Sequence, residues 1–274
     1  MSPGERDAID VRGYLRRIGH GEGLTPSLAT LSSLQRAHLQ AIPFEGIDPL
    51  LGRRIKLDAE ALQDKLIRGR RGGYCFEQNT LFGLALRQLG FEVTPLAARS
   101  RWGRPDDYPR TPLSHMLLMV QLAEGPVLAD VGFGGPGPVR PLPFTPDADL
   151  ETPLGVYRIS HAADGYRLSL RTAEGWTTLY DFTCEPQSPA DFEVFSWYAS
   201  TYPASGFTRT LIASRLDGDR RVNLHNFELT LRGADGAERI ELAGPGALRD
   251  ALAERFGIAL DEEDFETMVR RLTG

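Results

Sequence analysis

An α+β fold is what this sequence predicts, and three observations carry the prediction. Apolar positions recur at helical spacing to about residue 90, the period then falls to two among strand formers separated by Pro, Gly and Asp turns, and the final stretch mixes short strands with two helices. With 274 residues, 41% hydrophobic and 25% charged, the chain has the balance of an ordinary soluble globular protein and the length to bury a sizeable core.

Residues 1–90 are expected to be helical, with Leu28, Leu31, Leu34 and Leu39 at helical spacing, then Leu62, Leu66 and Ile67, then Phe82, Ala85, Leu86 and Leu89 up to a stop at Gly90. Residues 91–190 are expected to be β: FEVTPLAARS, LSHMLLMVQL and GPVLADVGF read as strands. A Pro- and Asp-rich loop is expected from Pro136 to Pro153, followed by a three-stranded meander turning at Ala163-Asp164-Gly165 and Ala173-Glu174-Gly175. A connecting helix over 191–205 starts at a Ser-Pro signal. Residues 206–274 are expected to hold short strands around Arg209–Ile212 and Phe227–Arg232, and helices in GALRDALAERFG and EEDFETMVRRL.

The formal charge of -6, from 31 basic and 37 acidic side chains, gives no field that would gather nucleic acid or an anionic membrane, so neither is expected as a partner. The opening MSPGERDAIDVRGYLRRIGH lacks the apolar stretch of a signal peptide, and no segment approaches the ~20 apolar residues of a membrane span. A cytoplasmic location is expected. Cys75 and Cys184 are far apart with no CxxC pair, which predicts two free thiols. No two histidines share an H-x3-H spacing or a neighbouring cysteine, so no metal is expected.

The most informative segment runs from Arg68 to Asn79, where a glycine turn, Gly72-Gly73, delivers Cys75 to the start of a helix. Unpaired N–H groups there favour a thiolate, so Cys75 is expected to be a nucleophile with a lowered pKa. Cys184, in YDFTCEP, reads as structural. A cysteine nucleophile needs a base and a group that orients the base. His115 lies in one strand and Asp130 ends the next, with a turn near Gly125; residue 130 then falls opposite about 117 or 119, on the face of His115. A slip of one residue would put the two on opposite faces. His20 and His38 read as surface residues of the helical region, His161 adjoins a polar turn, and His225 lies in a polar stretch; none competes for the base role. The glycine-rich run Val131–Pro138 could bring bare backbone to a phosphate, although glycines after a strand more often make only a turn.

With these residues in place the chain resembles the arylamine N-acetyltransferases over nearly its whole length. The resemblance is carried by Ile42-Pro43-Phe44-Glu45, RRGGYCFEQN around Cys75, Ser114-His115, DVGFGG from Asp130, LYDFT at 179–183 and SWYASTYPASGF at 196–207. It implies a helical domain over 1–90, a β-barrel domain over 91–190 and an α/β lid over 206–274, with a core related to papain-like cysteine proteases. It also implies a triad of Cys75, His115 and Asp130, and acetyl-CoA as donor to an arylamine, arylhydrazine or N-hydroxyarylamine through an acetyl-cysteine. Trp102, Ser114, Gly132, Phe133, Gly134 and Gly135 would face coenzyme A, Phe44 and Phe207 would line the acceptor pocket, and Glu45 and Arg71 would pair to hold the loop before Cys75. One departure is visible: Gly46 stands where the family usually has Asn. The rival readings are a cysteine hydrolase or amidase, a polyketide amide synthase using the same triad, and a non-catalytic binding protein of the same fold.

Overall fold

A computed structural model of the chain describes residues 8–274 other than Glu22, Asp106 and Asp235, so the first seven residues of the expected helical stretch lie outside it. The helical part is built from α1 (Val11–Ile18), α2 (Leu28–Ala41), the single turns α3 (Ile47–Leu50) and α4 (Ala59–Leu62), and α5 (Cys75–Gln88). Side-chain caps set the starts: Asp10 Oδ1 accepts from the Gly13 amide at 2.9 Å, and Ser27 Oγ from that of Thr30 at 3.1 Å. The Leu62–Ile67 pattern does not continue as a regular helix, because α4 widens into a π turn over Gln63–Arg68. The helical part packs around Leu31, Leu34, Leu66, Phe76, Phe82 and Leu86, all fully buried.

An eight-stranded antiparallel sheet follows, formed by β2 (Glu92–Ser100), β3 (His115–Leu122), β4 (Gly125–Ala129), β5 (Leu142–Pro143), β6 (Asp149–Thr152), β7 (Gly155–Ala162), β8 (Gly165–Thr172) and β9 (Gly175–Pro186). Its strand order is β5-β4-β3-β2-β9-β8-β7-β6. The sheet curls on itself. Phe144, just beyond edge strand β5, packs edge-on to Tyr166 of β8 with ring centroids 4.8 Å apart, a contact that a flat sheet of this order would forbid. The resulting barrel-like interior is filled by residues such as Leu96, Leu117, Ile159, Leu168 and Leu179. Strands β5 and β6 occupy part of the Pro136–Pro153 stretch expected to be loop; they are too short, at two and four residues, to show a period in sequence.

Helix α6 (Pro189–Thr201), capped by Ser188, leads to a second antiparallel sheet of order β1-β10-β11-β12-β13. Four strands, β10 (Ile212–Asp217), β11 (Arg220–His225), β12 (Glu228–Gly233) and β13 (Gly236–Glu241), replace the two short ones expected. In β11 the buried Arg221 interrupts the apolar alternation, and β13 is exposed along nearly its whole length, so neither shows the pattern of a half-buried strand. The fifth, β1 (Phe44–Glu45), comes from the helical part and pairs Phe44 with Ser214. Helices α7 (Pro245–Phe256) and α8 (Glu262–Thr273) cover this sheet through Leu248, Leu252, Phe265 and Met268. The molecule is thus α+β, with helices and antiparallel sheets segregated along the chain.

His38 is fully buried, contrary to the surface position read for it. Its Nδ1 meets the Tyr14 hydroxyl at 2.9 Å and its Nε2 meets Gln78 Oε1 at 2.6 Å, partners on α1 and α5 that polar neighbours in sequence could not announce. Burial is the main reason its pKa falls to about 4. The unfolded chain takes up this proton near pH 6.5, so the stabilisation is full above that pH and is lost as pH falls towards 4. The expected loss is up to about 3 kcal/mol across that interval. Urea midpoints measured from pH 7 to 4 should fall accordingly, and the fall should be shallower in His38→Leu, although that variant starts from lower stability.

Candidate active site

The segment before Cys75 is fixed from two sides. Gly73 bridges β1, its carbonyl accepting from the Glu45 amide at 3.0 Å and its amide donating to Pro43 at 3.3 Å. Gln78 Nε2 donates to the carbonyls of Pro43 at 2.7 Å and Gly73 at 3.1 Å, so the His38–Gln78 contact also anchors this turn. Beneath lies a cluster of charges. Arg71 donates to Glu45 Oε1 at 2.7 Å, as the family resemblance implied, and Lys65 Nζ lies 2.7 Å from both Glu77 and Asp48. Glu77 in turn accepts from the Tyr74 amide at 3.1 Å and so caps α5. Burial opposes the charge on Lys65, but Glu77, Glu45 and Asp48 together hold its pKa above the usual lysine value. Removing one partner from such a pair typically costs roughly 3–5 kcal/mol, because the other charge stays buried.

Cys75 opens α5, almost wholly buried, with its Sγ 3.6 Å from the Ser114 carbonyl. Backbone N–H groups of Met116 and Phe76 also reach the sulfur. The sulfur therefore rests against the chain on both sides of His115. The β3–β4 register pairs Leu118 with Ala129 and, continued by one residue, sets Asp130 opposite Leu117, on the face of His115 as expected. His115 Nε2 lies 2.8 Å from Asp130 Oδ2.

Every group on the Asp130 carboxylate is a donor. Oδ2 accepts from His115 and, at 3.3 Å, from the Tyr180 hydroxyl; Oδ1 accepts from Asn79 Nδ2 at 2.9 Å and from the Gly132 amide at 2.8 Å. The acceptor at Oδ2 assigns the ring proton to Nε2 and leaves Nδ1 as the nitrogen with a free lone pair. Asn79 lies one turn beyond Cys75 on the same helix face; it also donates to the Met116 carbonyl at 2.6 Å and accepts from the Val131 amide at 3.0 Å. Its role was missed in the sequence, where the i, i+4 spacing from Cys75 is the signal that could have found it. Tyr180 was visible only as part of LYDFT.

The thiol itself departs from expectation. Burial pushes the Cys75 pKa up and outweighs the Met116 and Phe76 amides that favour the charged form. A helix start alone does not make this sulfur a thiolate; a positive charge beside it is needed. Cys184 is exposed near the end of β9, not a core residue, and both cysteines are free.

Around the three residues, Phe133 places its ring edge-on to His115 at 5.0 Å and against Tyr180 at 5.2 Å. Gly132 could carry no side chain, since a Cβ there would lie 2.7 Å from Cys75 Cα. Gly134 meets the ring of Phe44, and Gly135 is half-buried next to Asn223. Ser114 donates its amide to the Ala98 carbonyl at 3.0 Å. The rings of Phe44 and Phe207 are 6.2 Å apart, and Phe207 stands perpendicular to Tyr74 at 5.3 Å. Trp102 is 45% exposed on the connection between β2 and β3. Two contributors had no sequence signal: Gln35 donates to the Asp130 and Pro138 carbonyls, and buried Arg221 of β11 donates to the Gly137 carbonyl at 2.7 Å.

Comparison with known proteins bears on this geometry. The family model for N-acetyltransferases matches residues 27–265. The arylamine N-acetyltransferase of Mycobacterium tuberculosis is 42% identical over 254 residues, 92% of this chain and 90% of that protein. The arylamine N-acetyltransferase / N-hydroxyarylamine O-acetyltransferase of Salmonella typhimurium is 35% identical over 92% of this chain and 90% of its own. The structure of the Mycobacterium marinum arylamine N-acetyltransferase in complex with CoA superposes with a TM-score of 0.92 at 38% identity, covering 96% of this chain and 100% of that one. The chain belongs to the arylamine N-acetyltransferase family.

Proposed function

We propose that this enzyme moves an acetyl group from acetyl-CoA to the nitrogen of an arylamine, arylhydrazine or N-hydroxyarylamine by way of an acetyl-cysteine at Cys75. The observation that carries the reading is the buried His115–Asp130 pair, 2.8 Å apart, whose histidine lies between the two backbone residues that touch the Cys75 sulfur. Nδ1 of His115 takes the thiol proton, and the imidazolium so formed supplies the charge that burial of the sulfur demands. Asp130, with its four donors in place, holds the ring in the tautomer that presents Nδ1 and stabilises the imidazolium.

In the first half-reaction the Cys75 thiolate attacks the thioester carbonyl, N–H groups at the start of α5 stabilise the oxyanion, and the thiolate of coenzyme A leaves with the proton from His115. In the second, the amine attacks the acetyl-cysteine while Nδ1 accepts its proton, and Cys75 is released. Gly132 beside Cys75, with Gly134 and Gly135 following it in the same loop, offers backbone without side chains to the donor. Ser114 and Phe133 adjoin the same space, and Trp102 stands farther out, where its exposed indole suits the distal part of the coenzyme. Phe44 and Phe207 form the aromatic wall against which the acceptor ring stacks. Weakly basic aromatic amines and hydrazines suit the second step because they stay unprotonated near neutral pH.

Three outcomes test this. Acetyl-CoA without acceptor should leave one acetyl group on Cys75 by intact mass; label on Cys184 or a lysine, or label retained by Cys75→Ala, would exclude the nucleophile. In Asp130→Asn the donors on the Oδ1 side are fixed, so the new NH2 turns to His115 and holds its ring in the wrong tautomer. Turnover should then fall by about 10⁴ while circular dichroism still reports a folded chain; a near wild-type rate would remove Asp130 from the mechanism. The rate of Cys75 alkylation by iodoacetamide should rise with pH at an inflection that moves upward in His115→Ala, because burial then raises the thiol pKa with no imidazolium to oppose it. Superimposed profiles would rule out the ion pair.

A further inference from the structure

We propose that Gly46 sets the size of the acceptor pocket by letting the Phe207 ring lie against bare backbone. The inference rests on the acetyltransferase reading above and adds to it a residue that governs acceptor choice. A Cβ on Gly46 would lie 3.1 Å from Phe207 Cδ1, tighter than most such contacts, and 3.7 Å from Cε1, an ordinary contact, so the ring would have to give by a few tenths of an ångström. The backbone itself does not call for glycine: φ of -112° and ψ of 30° are open to other residues. What glycine provides here is room for the ring.

The ring, and not the backbone, must yield to a side chain at this position. The Gly46 amide donates to the Ile212 carbonyl at 3.1 Å, and its carbonyl accepts from the Leu50 amide at 3.2 Å, which ties it to β10 on one side and α3 on the other. Phe207 rides on a single 3-10 turn, Gly206–Thr208, capped by Ser205, and is only partly buried. Its other aromatic neighbours are Tyr74, the residue before Cys75, and Phe44. Displacement from Gly46 therefore pushes the ring into the aromatic wall beside the nucleophile and narrows the space an acceptor would occupy. A narrowed apolar pocket discriminates between acceptors of different width, and a whole methylene of substrate in such a pocket is worth roughly 10- to 200-fold.

The test compares Gly46→Ala and Gly46→Val in the full chain, each alone and with Phe207→Leu. Acetylation of Cys75 by acetyl-CoA is timed first without acceptor, and transfer from acetyl-Cys75 is then timed to a single-ring aniline and to a fused three-ring arylamine. The expected result is unchanged acetylation in the single Gly46 variants. Transfer to the fused-ring amine should fall about tenfold relative to the single-ring one, further in Val than in Ala, and this discrimination should vanish with Phe207→Leu. Equal loss for both amines, no loss, or a discrimination that persists without the Phe207 ring would each overturn the proposal; Gly46→Ala alone decides if the larger variant does not fold. If the unmodified protein takes no acetyl group in the first step, the acetyltransferase reading falls and the pocket proposal with it.

Discussion

The Asp130 carboxylate is the constraint on which the site depends. Its four donors come from β3, α5, the glycine loop and β9, so one side chain joins the helical part, the barrel-like sheet and the loop beside the nucleophile. A carboxylate can accept from all four, whereas an amide of the same shape must turn its NH2 towards His115 and Tyr180 and force His115 into the other tautomer. The tautomer of His115, the seat of Gly132 against Cys75 and the anchoring of Asn79 are consequences of that one arrangement.

The second constraint is burial. A sulfur removed from water resists ionisation, and the amides around it are too weak to reverse this. In the proposed mechanism reactivity comes from pairing, with charge appearing on sulfur and imidazole together. The charged cluster of Glu45, Asp48, Lys65, Arg71 and Glu77 serves a different end, tying the turn before Cys75 to β1, α3 and the π turn.

Much of this was legible in the sequence. A glycine turn running into an apolar helical repeat located Cys75 at a helix start, and a two-residue turn between strands was enough to place Asp130 on the face of His115. What sequence could not reach depends on distant contacts. His38 lies among polar neighbours yet is buried by partners on two other helices, and Arg221 meets a carbonyl 84 residues away. Short strands such as β5 and β6 offer no period to read, and the thiol's pKa follows from its depth, which no local pattern encodes.

Cys75 and His115 belong to elements that meet only through tertiary docking, 40 positions apart in the chain. During synthesis the helix bearing the thiol emerges first, and for the time it takes to make the two strands that follow, the cysteine has no imidazole to ionise it. In the proposed mechanism its chemistry switches on by assembly. On that mechanism a nascent or partly unfolded molecule therefore carries an ordinary thiol and not an activated one.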